Sequence, residues 1–259
     1  MSRIGETETR PWLLISDIDE TLTGDRAAMR QLGRAIQRES DRLWFAVNSS
    51  RPKLSVARTL KEEFPPELEP DAIITALGTE ISVNGAALDE WPRRFGDWPR
   101  EDIFGLVYGF GHQPHRAEFQ TEFKVSFAIE GADAQRKVFD ALREAEYPIK
   151  VISSGVSDFD IIPPDAGKDM ASLYLAETLG NAPDDIITAG DSGNDLAMFR
   201  IGRGSIAVAN ARQELLEAMP VETSYHSPRR HAAGVLDGLI HYGVLSGNRL
   251  VTGLTATGD

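Results

Sequence analysis

The apolar run from Trp12 to Ser16 stops at Asp17-Ile18-Asp19-Glu20-Thr21-Leu22-Thr23. A short apolar segment that ends in paired carboxylates reads as a buried strand carrying those carboxylates at its C-terminal end. Arg26 to Glu39 then places Ala28, Met29, Leu32, Ala35 and Ile36 at helical spacing, and Leu43 to Val47 makes a second apolar strand. Leu54 to Phe64 reads as another helix and Ala72 to Thr75 as a third strand. The same alternation returns over Ile186 to Ala189, Leu196 to Phe199 and Ile206 to Val208. Strands alternating with helices give an α/β fold: a doubly wound, Rossmann-like parallel sheet covered on both faces. Ligands of such sheets bind beyond the carboxyl ends of the strands, which is where Asp17 and Asp19 stand.

The middle of the chain breaks this pattern. Glu80 to Val83 and Ala86 to Leu88 flank Asn84-Gly85, a strong signal for a tight hairpin. Phe123 to Ile129 alternates like a half-exposed strand, Ala134 to Ala145 is helical, and Ile149 to Ser153 and Phe159 to Ile162 are further strands. With 259 residues the chain has room for one or two domains. We therefore expect residues 80–162 to form a small α+β unit inserted into a core made of residues 1–79 and 163–259. The Gly- and Thr-rich stretch Gly247 to Asp259 is expected to be mobile.

Composition removes several chemistries. The chain has no cysteine, which excludes disulfides, thiolate metal sites and cysteine nucleophiles. Its 27 Lys and Arg against 40 Asp and Glu leave a formal charge of −13, unsuited to nucleic acid or an anionic membrane. Met1 to Arg10 is polar, without the apolar stretch of an export signal, and no apolar run approaches a membrane span, so a cytoplasmic location is expected.

Three further elements carry chemistry. Gly190-Asp191-Ser192-Gly193-Asn194-Asp195 follows an apolar strand and brings more carboxylates to the same sheet edge. Ser49 puts a hydroxyl after the second strand, beside Ser50. Lys168 opens the helix Asp169 to Leu179. Each has a plainer reading when taken alone: a capping loop, a Gly/Asn turn, an N-cap serine and a solvated lysine. Together they pose a charge problem, because Asp17, Asp19, Asp191 and Asp195 clustered without compensation repel one another. One Mg2+ with one lysine balances them, and Mg2+ favours one or two carboxylates plus a phosphate. Phosphoryl transfer needs this arrangement, since uncatalysed phosphate-monoester hydrolysis demands accelerations of up to about 10²¹-fold.

These segments resemble the four motifs of the haloacid dehalogenase-like superfamily of Mg2+-dependent aspartyl phosphatases. The resemblance implies that Asp17 is a nucleophile forming an aspartyl-phosphate and that Asp19 is the general acid and base. It further implies that Ser49, Ser50 and Lys168 bind phosphate, that Asp17, the Asp19 backbone carbonyl and Asp191 hold Mg2+, and that Asn194 and Asp195 support them. Only about 30 residues separate Asp17 from Ser49, too few for a cap domain there. The insertion lies between Ser49 and Lys168, the position of the larger α+β cap.

A closer likeness follows from Leu13 to Asp25, Pro70 to Ile81, Phe123 to Ile129, Val151 to Gly155 and Ala189 to Asp195, which resemble bacterial sucrose-phosphate phosphatases and relatives acting on other disaccharide phosphates. It extends from Trp12 to about Leu245. It implies that Lys124 and Ser126, with Glu80 at the root of the cap, face the sugar; the plainer reading of these three is an ordinary exposed strand. Ser49-Ser50-Arg51 stands where Thr-Gly-Arg is usual, Glu20 where Asn or Gly is more frequent, and Phe123 where Trp is common. The segment Val156 to Asp160 is one residue longer than in those relatives. The expected activity is hydrolysis of a disaccharide phosphate such as sucrose 6-phosphate, with mannosylfructose phosphate or a mannosylglycerate-type precursor as alternatives. An inactive regulatory module, docked on a glycosyltransferase that makes the sugar phosphate, is a further alternative. Cap motion is expected about linkers near Gly78 and Pro163-Pro164.

Overall fold

The computed structural model describes residues 11–246. The stretches Met1–Arg10 and Gly247–Asp259, on which the expectations about an export signal and a mobile tail rest, lie outside the described residues. In chain order the elements are β1 (Trp12–Ser16), α1 (Arg26–Gln37), β2 (Leu43–Asn48), α2 (Lys53–Glu62), β3 (Ala72–Thr75), β4 (Glu80–Val83), β5 (Ala86–Ala87), α3 (Glu90–Arg93) and α4 (Arg100–Gly109). There follow β6 (Gln113–Pro114), β7 (Val125–Ala128), α5 (Ala132–Glu144), β8 (Lys150–Ser154), β9 (Asp158–Ile162), α6 (Lys168–Leu179) and β10 (Ile186–Gly190). The chain continues through β11 (Gly204–Ala207), α7 (Gln213–Ala218), β12 (Ser224–His226) and α8 (His231–His241).

The large sheet has eight strands in the order β12-β11-β10-β1-β2-β3-β4-β5. It is parallel from β12 to β3. Period-two alternation in β1 sends Leu14 to one face, against α1 and α8, and Leu13 and Ile15 to the other, against α6. Both faces are buried, so the strands are apolar throughout, and each fully buried leucine or isoleucine adds roughly 1.5–3 kcal/mol. Asp25 starts α1 by accepting the Ala27 and Ala28 amides at 2.9 and 3.0 Å. Gly180, in a left-handed conformation, ends α6.

The second sheet is antiparallel, ordered β6-β7-β9-β8. One face packs Val125, Phe127, Phe159 and Ile161 on Ile103 and Val107 of α4 and Val138 and Leu142 of α5. Alternation leaves Ser126 and Asp160 on the opposite face, paired across β7 and β9. It contains the strands and the helix read from residues 123–162, with α4 and β6 as additions that the reading did not include.

Two expectations are corrected. The Asn84-Gly85 hairpin does not belong to the small sheet: β4 pairs antiparallel with β3, placing Ile81 opposite Ile74, and so extends the large one. Ile81 is buried in the same cluster as Ile74 and Trp91, and that burial decides which sheet the hairpin joins. Leu196 to Phe199 forms no α-helix, only 3-10 turns over Gly193–Asp195 and Met198–Arg200. Met198 and Phe199 are buried in different clusters, an arrangement that a regular helix face does not provide.

Candidate active site

Strand register builds the site. Ser16 lies opposite both Val47 and Ala189, so β1, β2 and β10 end together and deliver Asp17, Asn48-Ser49 and Gly190-Asp191 to one rim. The Asp17 amide donates to the Ala189 carbonyl at 2.9 Å, carrying this register one residue past the strand. Lys168 arrives from the first turn of α6, where the helix dipole also favours anions.

Lys168 Nζ donates to Asp17 Oδ1 and to Asp195 Oδ1, both at 2.7 Å, and all three side chains are buried. Asp195 Oδ2 accepts the amides of Asp191 and Ser192 at 3.0 and 3.1 Å, which shapes the Asp191 loop. Gly190 is needed beneath this loop, because a Cβ there would stand 2.5 Å from that of Asp195. Thr21 Oγ1 donates to Asp191 Oδ1 at 3.3 Å. Carboxylate oxygens of Asp17, Asp191 and Asp195 lie within 4.8 Å of one another.

Three carboxylates face one ammonium. Burial pushes the Asp17 carboxyl up to about 8, with Asp195 and Asp191 adding to the rise and Lys168 opposing it. Burial, followed by the charge of Asp195, lifts Asp191 to about 7. Burial also works against the Lys168 ammonium, but Asp17 and Asp195 outweigh it and hold its pKa above the ordinary lysine value. The site is short of positive charge and offers only hard oxygen donors, a set that suits Mg2+.

The remaining expected residues are placed as follows. Asp19 is outside the carboxylate cluster; its Oδ2 is 2.9 Å from Arg51 Nε. Ser49 is buried, and its Oγ accepts the Arg51 amide at 3.2 Å. The Ser50 carbonyl accepts from Lys124 Nζ at 3.0 Å, which links the small sheet to the rim. Lys124 also lies 3.1 Å from Asp160 Oδ2, while Ser126 Oγ donates to Asp160 Oδ1. Lys124, Ser126 and Asp160 line a cavity of about 250 Å3 with Ser50, Arg51 and His115. Glu80 is not there. It accepts from Thr75 Oγ1 at 2.7 Å and lines another cavity of about 500 Å3, walled by Val56, Leu60 and Ile73. The Asn194 side-chain oxygen is buried without a hydrogen-bond partner.

Sequence reasoning gave no role to Thr21 and Arg51, which stand in its motifs, and passed over Asn48 and Asp160. Asn48 Nδ2 donates to the Lys168 carbonyl at 3.0 Å and to Ser172 Oγ at 3.1 Å, fixing the start of α6. A polar residue at the end of an otherwise apolar strand was its available signal. Asp160 had a similar one, a carboxylate at an alternating position in an apolar strand.

A model of the sucrose-6F-phosphate phosphohydrolase family matches residues 10–243. The chain belongs to that family. This sucrose-6F-phosphate phosphohydrolase family member is 31% identical over 245 residues to the mannosylfructose-phosphate phosphatase of Agrobacterium fabrum, covering 90% of this chain and 97% of that protein. It is 30% identical over 253 residues to sucrose-phosphatase 1 of Nicotiana tabacum, covering 89% of this chain but only 59% of the tobacco protein. The family member therefore spans about three-fifths of that relative's length. Among solved structures, the sucrose-phosphatase of Synechocystis sp. PCC6803, in complex with sucrose and phosphate, superposes with a TM-score of 0.83 at 27% identity, covering 90% of this chain and 98% of that one. Its fold is accordingly haloacid dehalogenase-like, with a Rossmann-like core.

Proposed function

We propose that the protein is a Mg2+-dependent phosphatase that hydrolyses the phosphate monoester of a disaccharide phosphate such as sucrose 6-phosphate. The observation that carries this reading is the buried meeting of Asp17, Lys168, Asp191 and Asp195 at the carboxyl rim of the parallel sheet. Family membership and the names of the relatives support it.

Asp17, Asp191 and the backbone carbonyl of Asp19 would hold Mg2+, and Asp195 orients Lys168 and the Asp191 loop, with Asn194 nearby. When bound, the ion supplies positive charge that lets an anionic carboxylate approach an anionic phosphate. Lys168, Ser49 and Ser50 bind the phosphate oxygens. An Asp17 oxygen attacks phosphorus, the bond from phosphorus to the sugar oxygen breaks, and that oxygen takes the electron pair and a proton from Asp19. Water then attacks the phosphorus of the aspartyl-phosphate, Asp19 takes a water proton, and inorganic phosphate leaves with Asp17 restored.

The small sheet acts as the cap, with Lys124 and Ser126 facing the sugar across the cavity they share with Asp160 and Ser50. Glu80 stands at the root of the cap, on the hairpin that the core sheet holds. A core of residues 1–79 and 163–259 with the insertion at 80–162 remains our division of the chain, with the β4–β5 hairpin hydrogen-bonded to the core sheet. Closure and opening exclude and then admit water, about Pro163-Pro164 on one side and residues 94–97 on the other; Gly78 lies between β3 and β4, which are paired in the core sheet, and Trp91 is still buried in the core.

The test is phosphate release by purified protein with Mg2+ from a panel containing sucrose 6-phosphate, mannosylfructose phosphate and a mannosylglycerate-type phosphate, with Asp17→Asn alongside. Release above the Asp17→Asn background on at least one member is expected, and its absence on all of them ends the proposal. The ranking of kcat/KM decides between sugars; the high coverage of the Agrobacterium relative favours including mannosylfructose phosphate as the second reading. Retention of four buried or rim-facing charges, Asp17, Asp19, Lys168 and Asp191, argues against an inactive module. Nothing in the comparisons supports a glycosyltransferase partner.

A further inference from the structure

The turn that carries Asp19 is held in a strained backbone conformation by residues about 200 positions away. Glu20 has a φ of +58°, a left-handed conformation that side chains other than Gly, Asn and Asp resist. Its carbonyl oxygen accepts from Asn210 Nδ2 at 2.7 Å and from His231 Nδ1 at 2.9 Å, the imidazole donating as its Nδ1–H form. Asn210 Oδ1 in turn accepts the His231 amide at 3.0 Å, and His231 itself has a φ of +50°. The three residues thus form a closed triangle joining the turn after β1 to the start of α8.

The turn is tied on its other side as well. The Ile18 carbonyl accepts the amides of Leu22 and Thr23 at 2.9 and 3.0 Å and Thr23 Oγ1 at 3.2 Å. Asp19 therefore lies between two carbonyls that are both bonded, one locally and one from afar. The His231 ring closes over the turn at Gly24, whose φ is +115° and where an added Cβ would meet the ring at 2.7 Å. Only glycine meets both demands there.

We propose that Asn210 and His231 are positioning residues for Asp19, and that Glu20 occupies its left-handed turn because these two side chains hold its carbonyl. Without them the turn relaxes toward a negative φ and Asp19 leaves the place from which it protonates the departing oxygen. This inference rests on the reading of Asp19 as general acid given above.

The leaving group supplies a readout that a loss of fold does not move. A sugar alkoxide needs a proton as it departs, whereas p-nitrophenolate leaves without one, and kcat/KM reports the steps up to aspartyl-phosphate formation. Misplacing the Asp19 carboxyl lowers kcat/KM on sucrose 6-phosphate, or on whichever panel sugar phosphate proves best, by about 10- to 100-fold more than on p-nitrophenyl phosphate, whose smaller loss reflects only the shift of the Asp19 carbonyl. The variants are Asn210→Ala and His231→Asn, the latter chosen because Asn tolerates a left-handed backbone. Should Asn210→Ala fail to fold, Asn210→Asp removes the donor to Glu20 at constant shape and carries the same test.

Asp19→Asn calibrates the readout. A fall in the sugar-to-aryl ratio for Asp19→Asn, Asn210→Ala and His231→Asn, with most of the loss in the latter two recovered by adding Glu20→Asn, is the expected result. If Asp19→Asn leaves the ratio unchanged, the assignment of Asp19 is what fails. If Asp19→Asn lowers it while the Asn210 and His231 variants do not, or if those variants slow both substrates equally, the positioning role is overturned.

Discussion

Lys168 stabilises two buried carboxylates at once, and its removal leaves both Asp17 and Asp195 without a cation. Breaking a buried pair from one side costs about 3–5 kcal/mol, so Lys168→Met should lower the melting temperature of the metal-free protein and abolish phosphate release together. Asp17 and Asp191 give a pH dependence whose sign follows from their direction of shift. Asp17 at about 8 and Asp191 at about 7 both exceed the ordinary carboxylate value of 3.8. The folded metal-free protein thus holds protons that the unfolded chain releases near pH 4. Their contribution to stability is complete below about pH 4 and disappears as pH rises through about 7 to 8. Added Mg2+ replaces those protons, so its stabilising effect on the melting temperature should be larger at about pH 8.5 than at about pH 6. An equal shift at both pH values, read by differential scanning fluorimetry after EDTA treatment, contradicts this account.

At the scale of elements, the small sheet has one apolar face and one polar face, and the two have separable consequences. Leu142 of α5, fully buried among Val125, Phe127 and Ile161, belongs to the apolar side. Leu142→Ala should destabilise the protein by about 2–5 kcal/mol, measured by denaturant unfolding, with little change in KM where folding is retained. On the polar side, Asp160 pairs with Lys124 and Ser126 and contributes nothing to the apolar cluster. Asp160→Asn should raise KM for the sugar phosphate several-fold while leaving kcat/KM for p-nitrophenyl phosphate near the wild-type value. If both substrates suffer alike, Asp160 acts on the fold rather than on the sugar.

For the whole molecule, the question is how two sheets come to share one site. Lys124 reaches the Ser50 carbonyl from β7, and Lys150 of β8 lies 2.8 Å from Asp169 Oδ1, one residue past Lys168. Both contacts tie the small sheet to segments that carry phosphate-binding candidates, so movement of one is felt by the other. Hydrogen exchange in residues 94–97 and 162–168 should slow when Mg2+ and inorganic phosphate are added together, because ligands that bridge the sheets hold the connections still. Unchanged exchange in both segments rules out motion about them on binding. Among the described residues no helix is long and apolar enough to cross a membrane.

What the sequence determined on its own was local and periodic. The apolar run before Asp17, the alternation of strands and helices, and the polar loops after β1, β2 and β10 pointed to the α/β class and to the rim that carries Asp17, Ser49 and Asp191, because a buried parallel strand has to be apolar to its end and polar beyond it. The same periodicity was silent about partners. It could not say that Ile81 would pair with Ile74 and draw the hairpin into the large sheet, that Lys124 would meet Asp160, or that Glu20 would be held from Asn210 and His231. Alternation reports that a side chain is buried, while the neighbour against which it is buried is set by contacts far apart in the chain, and those exist only once the tertiary structure has formed.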